Sequence, residues 1–80
     1  MYYTYILKSK TTNRHYIGST EDLSERLIIH NKGKVRSTKS SIPWEIIYSE
    51  TFETRSEAFK REQFFKTIDG YNWLKENKIR

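Results

Sequence analysis

Cysteine is absent from the 80 residues, proline occurs once and glycine three times. Without cysteine there is neither a disulfide nor a thiolate metal site, and two histidines alone do not build a typical zinc centre. The same absence fits a reducing cytoplasm. No stretch approaches the ~20 apolar residues that span a bilayer. The apolar N-terminal run Met1–Leu7 is too short for a signal-peptide core and has no basic leader before it. A soluble, non-exported chain is therefore expected, with residues 1–80 forming one domain. A chain of this size buries only about 60% of its unfolded surface. Its core is thin, so an active site should be a shallow surface cleft rather than a deep cofactor pocket.

What is abundant is positive charge and aromatic surface. Lys and Arg number 15 against 10 Asp and Glu, giving a net charge of +5, and aromatics make up 15% of the chain. The isoelectric point near 9.6 suits a partner with a phosphate backbone. Many small domains are basic without such a partner, so charge alone does not decide the matter.

Residues 2–8 combine β-branched and aromatic residues as a strand, with Tyr3, Tyr5 and Leu7 on one face and Tyr2, Thr4 and Ile6 on the other. Ser9–Asn13 reads as a hairpin turn into a second, antiparallel strand at Arg14–Gly18. Gly18 ends that strand, and Ser19 or Thr20 caps a helix from about Glu21 to Lys32 that stops at Gly33. Residues 33–43 are basic, polar and irregular. Trp44–Phe52 alternates as a third strand, with Trp44, Ile46, Tyr48 and Phe52 on one side. Thr54-x-x-Glu57 is a capping box that opens a second helix running to about Ile68, where Asp69-Gly70 breaks it. A last short helix, Tyr71–Asn77, turns Trp73 and Leu74 inward. The order β-β-α-β-α-α predicts an α+β fold: a small three-stranded, mostly antiparallel sheet flanked by helices.

Polar residues on faces that ought to be apolar carry the functional information. Arg26 and His30 stand four apart beside the inward stripe of Leu23 and Leu27, directed toward the sheet. Alternatively they sit at the helix edge and reach water. Glu62 lies within an apolar arc of Ala58, Phe59 and Phe65. A carboxylate there must be paired or metal-bound. An ion pair with Arg26 is the structural option, and a functional carboxylate is the favoured one. The six tyrosines are, taken singly, ordinary amphipathic core fillers. Gly18 has an equally plain role in easing the strand-to-helix turn.

Together these positions resemble the GIY-YIG nuclease family, in particular its short, stand-alone bacterial branch. The second signature triplet stands as Tyr16-Ile17-Gly18, and Tyr3-Thr4-Tyr5 occupies the place of the first, keeping only its final tyrosine. Ten residues separate Tyr5 from Tyr16, as in the family. Arg26 and His30 form an Arg-x-x-x-His element, and Glu62 falls in Arg61-Glu62-Gln63 on the later helix. The departure at the first triplet removes a glycine but no catalytic side chain.

The resemblance implies a metal-dependent endonuclease that hydrolyses DNA phosphodiester bonds, in DNA repair or recombination, with Tyr5, Tyr16, Arg26, His30 and Glu62 as its catalytic set. Glu62 would hold one divalent cation, Mg²⁺ or Mn²⁺. Arg26 would clamp the phosphate. Either Tyr5 or Tyr16, as phenolate, would take a proton from water with help from a neighbouring cation or His30. Asn72 is a weaker candidate on the last helix. The loop basic residues Lys32, Lys34, Arg36 and Lys39, with Arg14 and Lys66, either track the DNA backbone or are simply solvated. Two alternatives remain: a catalytically weak DNA-binding module, and a nuclease subunit that depends on a protein partner for target selection.

Overall fold

The computed structural model describes residues 1–80. Strands β1 (Tyr2–Ser9), β2 (His15–Thr20) and β3 (Trp44–Phe52) and helices α1 (Leu23–Asn31), α2 (Arg55–Phe65) and α3 (Ile68–Glu76) follow one another in the predicted order β-β-α-β-α-α. The sheet order is β2-β1-β3 and both pairings are antiparallel.

The central strand β1 is buried on both sides, because a sheet this small is covered by helices on each face. Tyr5 and Leu7 join Trp44 and pack against Leu23 and Leu27 of α1. Ile6 and Ile17 pack on the opposite side against Phe65 of α2 and Leu74 of α3. The alternation expected for β1 therefore holds, but its two faces feed two separate cores.

Strand β3 departs from simple alternation. Ile6 pairs with Tyr48 and Leu7 with Ile46, so Ile47 has no partner and forms a bulge. One extra residue reverses the pleat beyond it. Ile46 stays with the Trp44 core, whereas Tyr48 packs in the Ile6 core, opposite to the face expected for it.

Helix ends follow local chemistry more closely than the sequence reading did. Strand β2 continues past Gly18 to Thr20, so Asp22 rather than Ser19 or Thr20 is the N-cap of α1, accepting the Glu25 N–H at 3.0 Å. Gly33, at φ 75°, closes α1 as expected. Its N–H bonds the His30 carbonyl and that of Lys34 reaches the Ile29 carbonyl, which is a Schellman motif. The Thr54–Glu57 capping box opens α2 as expected.

The break between α2 and α3 falls at Lys66-Thr67, ahead of Asp69-Gly70. Thr67 donates to the Phe64 carbonyl at 2.6 Å and accepts the Gly70 N–H at 3.1 Å, ending one helix and capping the next. Gly70 lies inside α3, buried, and a Cβ there would sit 1.9 Å from the Phe64 carbonyl oxygen. It is a close-approach glycine and not a helix breaker. Phe59, expected inside, is 52% exposed, leaving Ala58 and Phe65 as the buried face of α2.

Candidate active site

The register of β1 and β2 sets the site. Tyr5 pairs with Gly18 and Leu7 with Tyr16, so Tyr5, Tyr16 and Gly18 share the face covered by α1. The ring centroids of Tyr5 and Tyr16 lie 6.4 Å apart. Arg26 and His30, one helical turn apart on α1, both descend onto this pair. Arg26 Nε donates to the Tyr5 hydroxyl at 3.4 Å, and the Tyr5 hydroxyl lies 3.2 Å from His30 Nε2. The imidazole also packs edge-on against Tyr16, with centroids 4.8 Å apart. Helix-edge placement in water is thereby excluded for His30, which is completely buried.

A further residue, Thr38, fixes the direction of these hydrogen bonds. Its hydroxyl is 2.9 Å from His30 Nδ1 and donates to the Val35 carbonyl at 3.3 Å. With that proton committed, Thr38 Oγ1 accepts from Nδ1–H. His30 Nε2 is then the bare nitrogen and receives the Tyr5 O–H. Thr38 is itself buried, its carbonyl accepting the Trp44 indole N–H at 2.9 Å. The resulting chain runs Arg26 to Tyr5 to His30 to Thr38.

Burial sets the ionisation of the cluster. It pushes His30 down to about 4, with the Arg26 charge acting in the same direction, so the imidazole is neutral at pH 7. Burial also raises the Tyr5 phenol above its usual value, outweighing the hydrogen bond from Arg26 that lowers it. Arg26 is held more firmly protonated, chiefly through its bond to Tyr5.

Glu62 approaches from the other side of the sheet. Ser19, one residue beyond Gly18 and therefore pointing to the opposite face, donates to Glu62 Oε1 at 2.7 Å. Lys66 Nζ donates to Oε2 at 2.8 Å, and the Glu62 side chain is 12% exposed. Its ion-pair partner is Lys66 on its own helix, not Arg26. Four of the five expected residues thus touch one another, while Glu62 stands behind the edge strand β2 and reaches Tyr5 only as a weak field. No group of three or more His, Cys, Asp or Glu side chains is assembled to hold a metal. One carboxylate beside a hydroxyl does suit a hard, largely hydrated cation that takes its remaining ligands from water and phosphate.

The basic residues divide. Arg14 donates to Ser41 Oγ at 2.9 Å and the Ser37 carbonyl at 2.8 Å, and its guanidinium lies over Trp44 at 5.7 Å. It clamps the loop after α1 in place. Lys32, Lys34, Arg36 and Lys39 are exposed on that loop, which Thr38 ties to His30. Asn72 is exposed on α3 and bonds none of the cluster. The sequence reading missed Thr38, which carries no periodic signal inside an irregular loop. It also assigned Ser19 to a helix cap instead of to Glu62.

Comparison with known proteins identifies the family. Residues 1–76 match the GIY-YIG catalytic domain. The UPF0213 protein SSP2268 of Staphylococcus saprophyticus is 40% identical over 75 residues, covering 92% of this chain and 90% of that one. The UPF0213 protein YazA of Bacillus subtilis is 40% identical over 68 residues, covering 84% and 68%. The solution NMR structure of the UPF0213 protein BH0048 from Bacillus halodurans is 28% identical, with a TM-score of 0.56 over 98% of this chain and 86% of that one. The chain belongs to the GIY-YIG family, a family of nuclease type, and its relatives are small bacterial UPF0213 proteins.

Proposed function

We propose that this protein is a metal-dependent endonuclease that hydrolyses DNA phosphodiester bonds. The observation that carries the proposal is the Tyr5 hydroxyl held between a guanidinium and a neutral imidazole, with Tyr16 alongside. A purely structural tyrosine has no need of a half-buried arginine and a buried histidine on one oxygen.

Arg26 is the phosphate clamp: it is half-buried and permanently charged, bonds Tyr5 through Nε, and carries a planar fork that matches two phosphate oxygens. Tyr16 is the better general base. It is half-buried and open to an incoming water, whereas Tyr5 is 2% exposed with its hydroxyl already engaged. Tyr5 and His30 then position Arg26 and the Tyr16 ring. Glu62, released from Lys66, would hold Mg²⁺ or Mn²⁺, which when bound supplies Lewis-acid stabilisation of charge on the phosphate. The exposed Lys32, Lys34, Arg36 and Lys39 supply non-specific attraction to the DNA backbone.

The test is nicking of supercoiled plasmid in Mg²⁺ and in Mn²⁺ by the wild type and by Glu62→Gln, Arg26→Ala and Tyr16→Phe. Activity lost in all three variants, with circular dichroism unchanged, supports the reading. Salt-sensitive DNA binding without nicking by the wild type in either metal would instead make the protein a binding module.

A further inference from the structure

Along the free edge of β2 a cleft of about 410 Å³ opens toward the junction of α2 and α3. That volume lies within the range of sites for small ligands. Consecutive β2 residues line it, because at the sheet edge side chains of both faces are within reach. Ile17 and Phe65 make its floor. Its walls carry Tyr16, Tyr71, Lys66 and Arg80, and no Asp or Glu side chain lines it.

Tyr71 has no visible part in folding. It is 41% exposed, while α3 docks through Leu74 and Gly70, both buried. The Arg80 guanidinium lies 4.9 Å from the centre of its ring. Aromatic and guanidinium planes beside an ammonium group, with no acidic side chain in the lining itself, match one unpaired nucleotide: a π-face to stack and a phosphate to neutralise.

Two side chains join this cleft to the site already described. Tyr16 lines the cleft and packs on His30, and Lys66 lines it and pairs with Glu62. We infer that the cleft takes a single unpaired nucleotide of a DNA strand next to the scissile phosphate, its base against Tyr71 and Arg80 and its phosphate toward Lys66. The position beside the scissile phosphate rests on the nuclease reading; nucleotide binding itself does not. A base in an intact duplex must leave its stack to enter. The cleft therefore selects DNA that is single-stranded or frayed beside the cut.

The test is an NMR titration of the whole chain, free of divalent metal, with a thymidine hexanucleotide, thymidine 5′-monophosphate, inorganic phosphate and a blunt duplex. The hexanucleotide and the mononucleotide should both move the amide signals of Thr67, Tyr71 and Arg80, beyond any effect of phosphate or duplex at equal concentration. Tyr71→Ala and Arg80→Ala, both surface changes, should each weaken hexanucleotide binding by about fivefold or more. Signals that move only around Arg36, with affinity unchanged in both variants, overturn the inference. So does inorganic phosphate reproducing the nucleotide shifts, since that makes the cleft an anion site. No cleavage is needed for the readout. A chain that nicks nothing but binds in this way refutes the nuclease reading alone, and one that nicks but binds independently of Tyr71 refutes the cleft alone.

Discussion

Gly18 and Tyr5 stand opposite each other in the β1–β2 register, and a Cβ on Gly18 would lie 2.5 Å from the Tyr5 hydroxyl oxygen and 2.7 Å from Cζ. The glycine is required by the tyrosine that crosses it rather than by a turn. Tyr5 has nowhere to retreat, because its hydroxyl is already held by Arg26 and close to His30 in a buried cluster.

Gly18→Ala should therefore displace the Tyr5 ring and loosen its bond to Arg26. Overpacking of this kind costs about 1–3 kcal/mol. The midpoint of thermal unfolding should fall, by about 4–8 °C per kcal/mol in a domain of this size. Nicking should fall together with it. A variant with unchanged midpoint and activity would show that Tyr5 is not held as described.

Thr38→Val removes the acceptor of His30 Nδ1–H and leaves a buried donor unsatisfied, at a cost of about 1–3 kcal/mol. The wild-type imidazole at pH 7 should show a protonated Nδ1 and a bare Nε2 in its ¹⁵N spectrum. In Thr38→Val the two tautomers should mix. A wild-type spectrum with the proton on Nε2 would reverse the hydrogen-bond direction assigned to Tyr5.

Acid should destabilise the fold through His30. The folded imidazole titrates at about 4 against 6.5 for its ordinary value, so the unfolded chain binds the proton first as pH falls. Stability that is complete above about pH 6.5 is lost progressively toward pH 4, by at most about 3 kcal/mol from this group. His15, also depressed by burial, acts in the same direction. Urea midpoints measured from pH 7 to 4 should decline more steeply in the wild type than in His30→Gln, and equal slopes would remove His30 as the cause.

What was legible in the sequence was what is local. The Thr54–Glu57 box, the stop at Gly33 and the Arg26–His30 spacing are each decided within one or two helical turns, where side-chain and backbone chemistry act directly. The bulge at Ile47 was not, because it depends on which core each residue meets after β1 is already in place. Gly70 was misread because the same residue serves a break and a close approach, and only the Phe64 carbonyl beside it tells them apart. Thr38 reaches His30 across a Schellman turn and an irregular loop, a contact with no period to read. Glu62 stood out as a charge in an apolar arc, but Phe59 of that arc is exposed, and the carboxylate's partner is the nearer i+4 lysine rather than the arginine across the fold.

That distinction between two glycines is itself measurable. Gly70→Ala places a methyl against backbone, 1.9 Å from the Phe64 carbonyl oxygen, where neither side can rotate away. It should cost about 3 kcal/mol or more and undock α3. Gly33→Ala meets nothing closer than 3.8 Å and strains only its positive φ, costing about 1–2 kcal/mol. Unfolding curves for the two variants should differ in that order, and similar losses would mean that α3 yields to admit the methyl.

Lys66 holds the carboxylate that the proposed chemistry needs. The Lys66–Glu62 pair, with the lysine 48% and the glutamate 12% exposed, competes with any cation for Oε2. Lys66→Ala should raise the affinity of the DNA-free protein for Mn²⁺ several-fold, measured by electron paramagnetic resonance or calorimetry, while Glu62→Gln should abolish it. The same Lys66→Ala change should weaken DNA binding at low salt and lower the slope of log K against log salt by about 1, as the loss of one phosphate contact requires. If the variant binds Mn²⁺ no better than the wild type and keeps the full salt slope, the lysine is a surface partner of Glu62 and nothing more. If Mn²⁺ affinity rises while the salt slope is unchanged, Lys66 guards the carboxylate without touching DNA, and the cleft beside it must neutralise its nucleotide through Arg80.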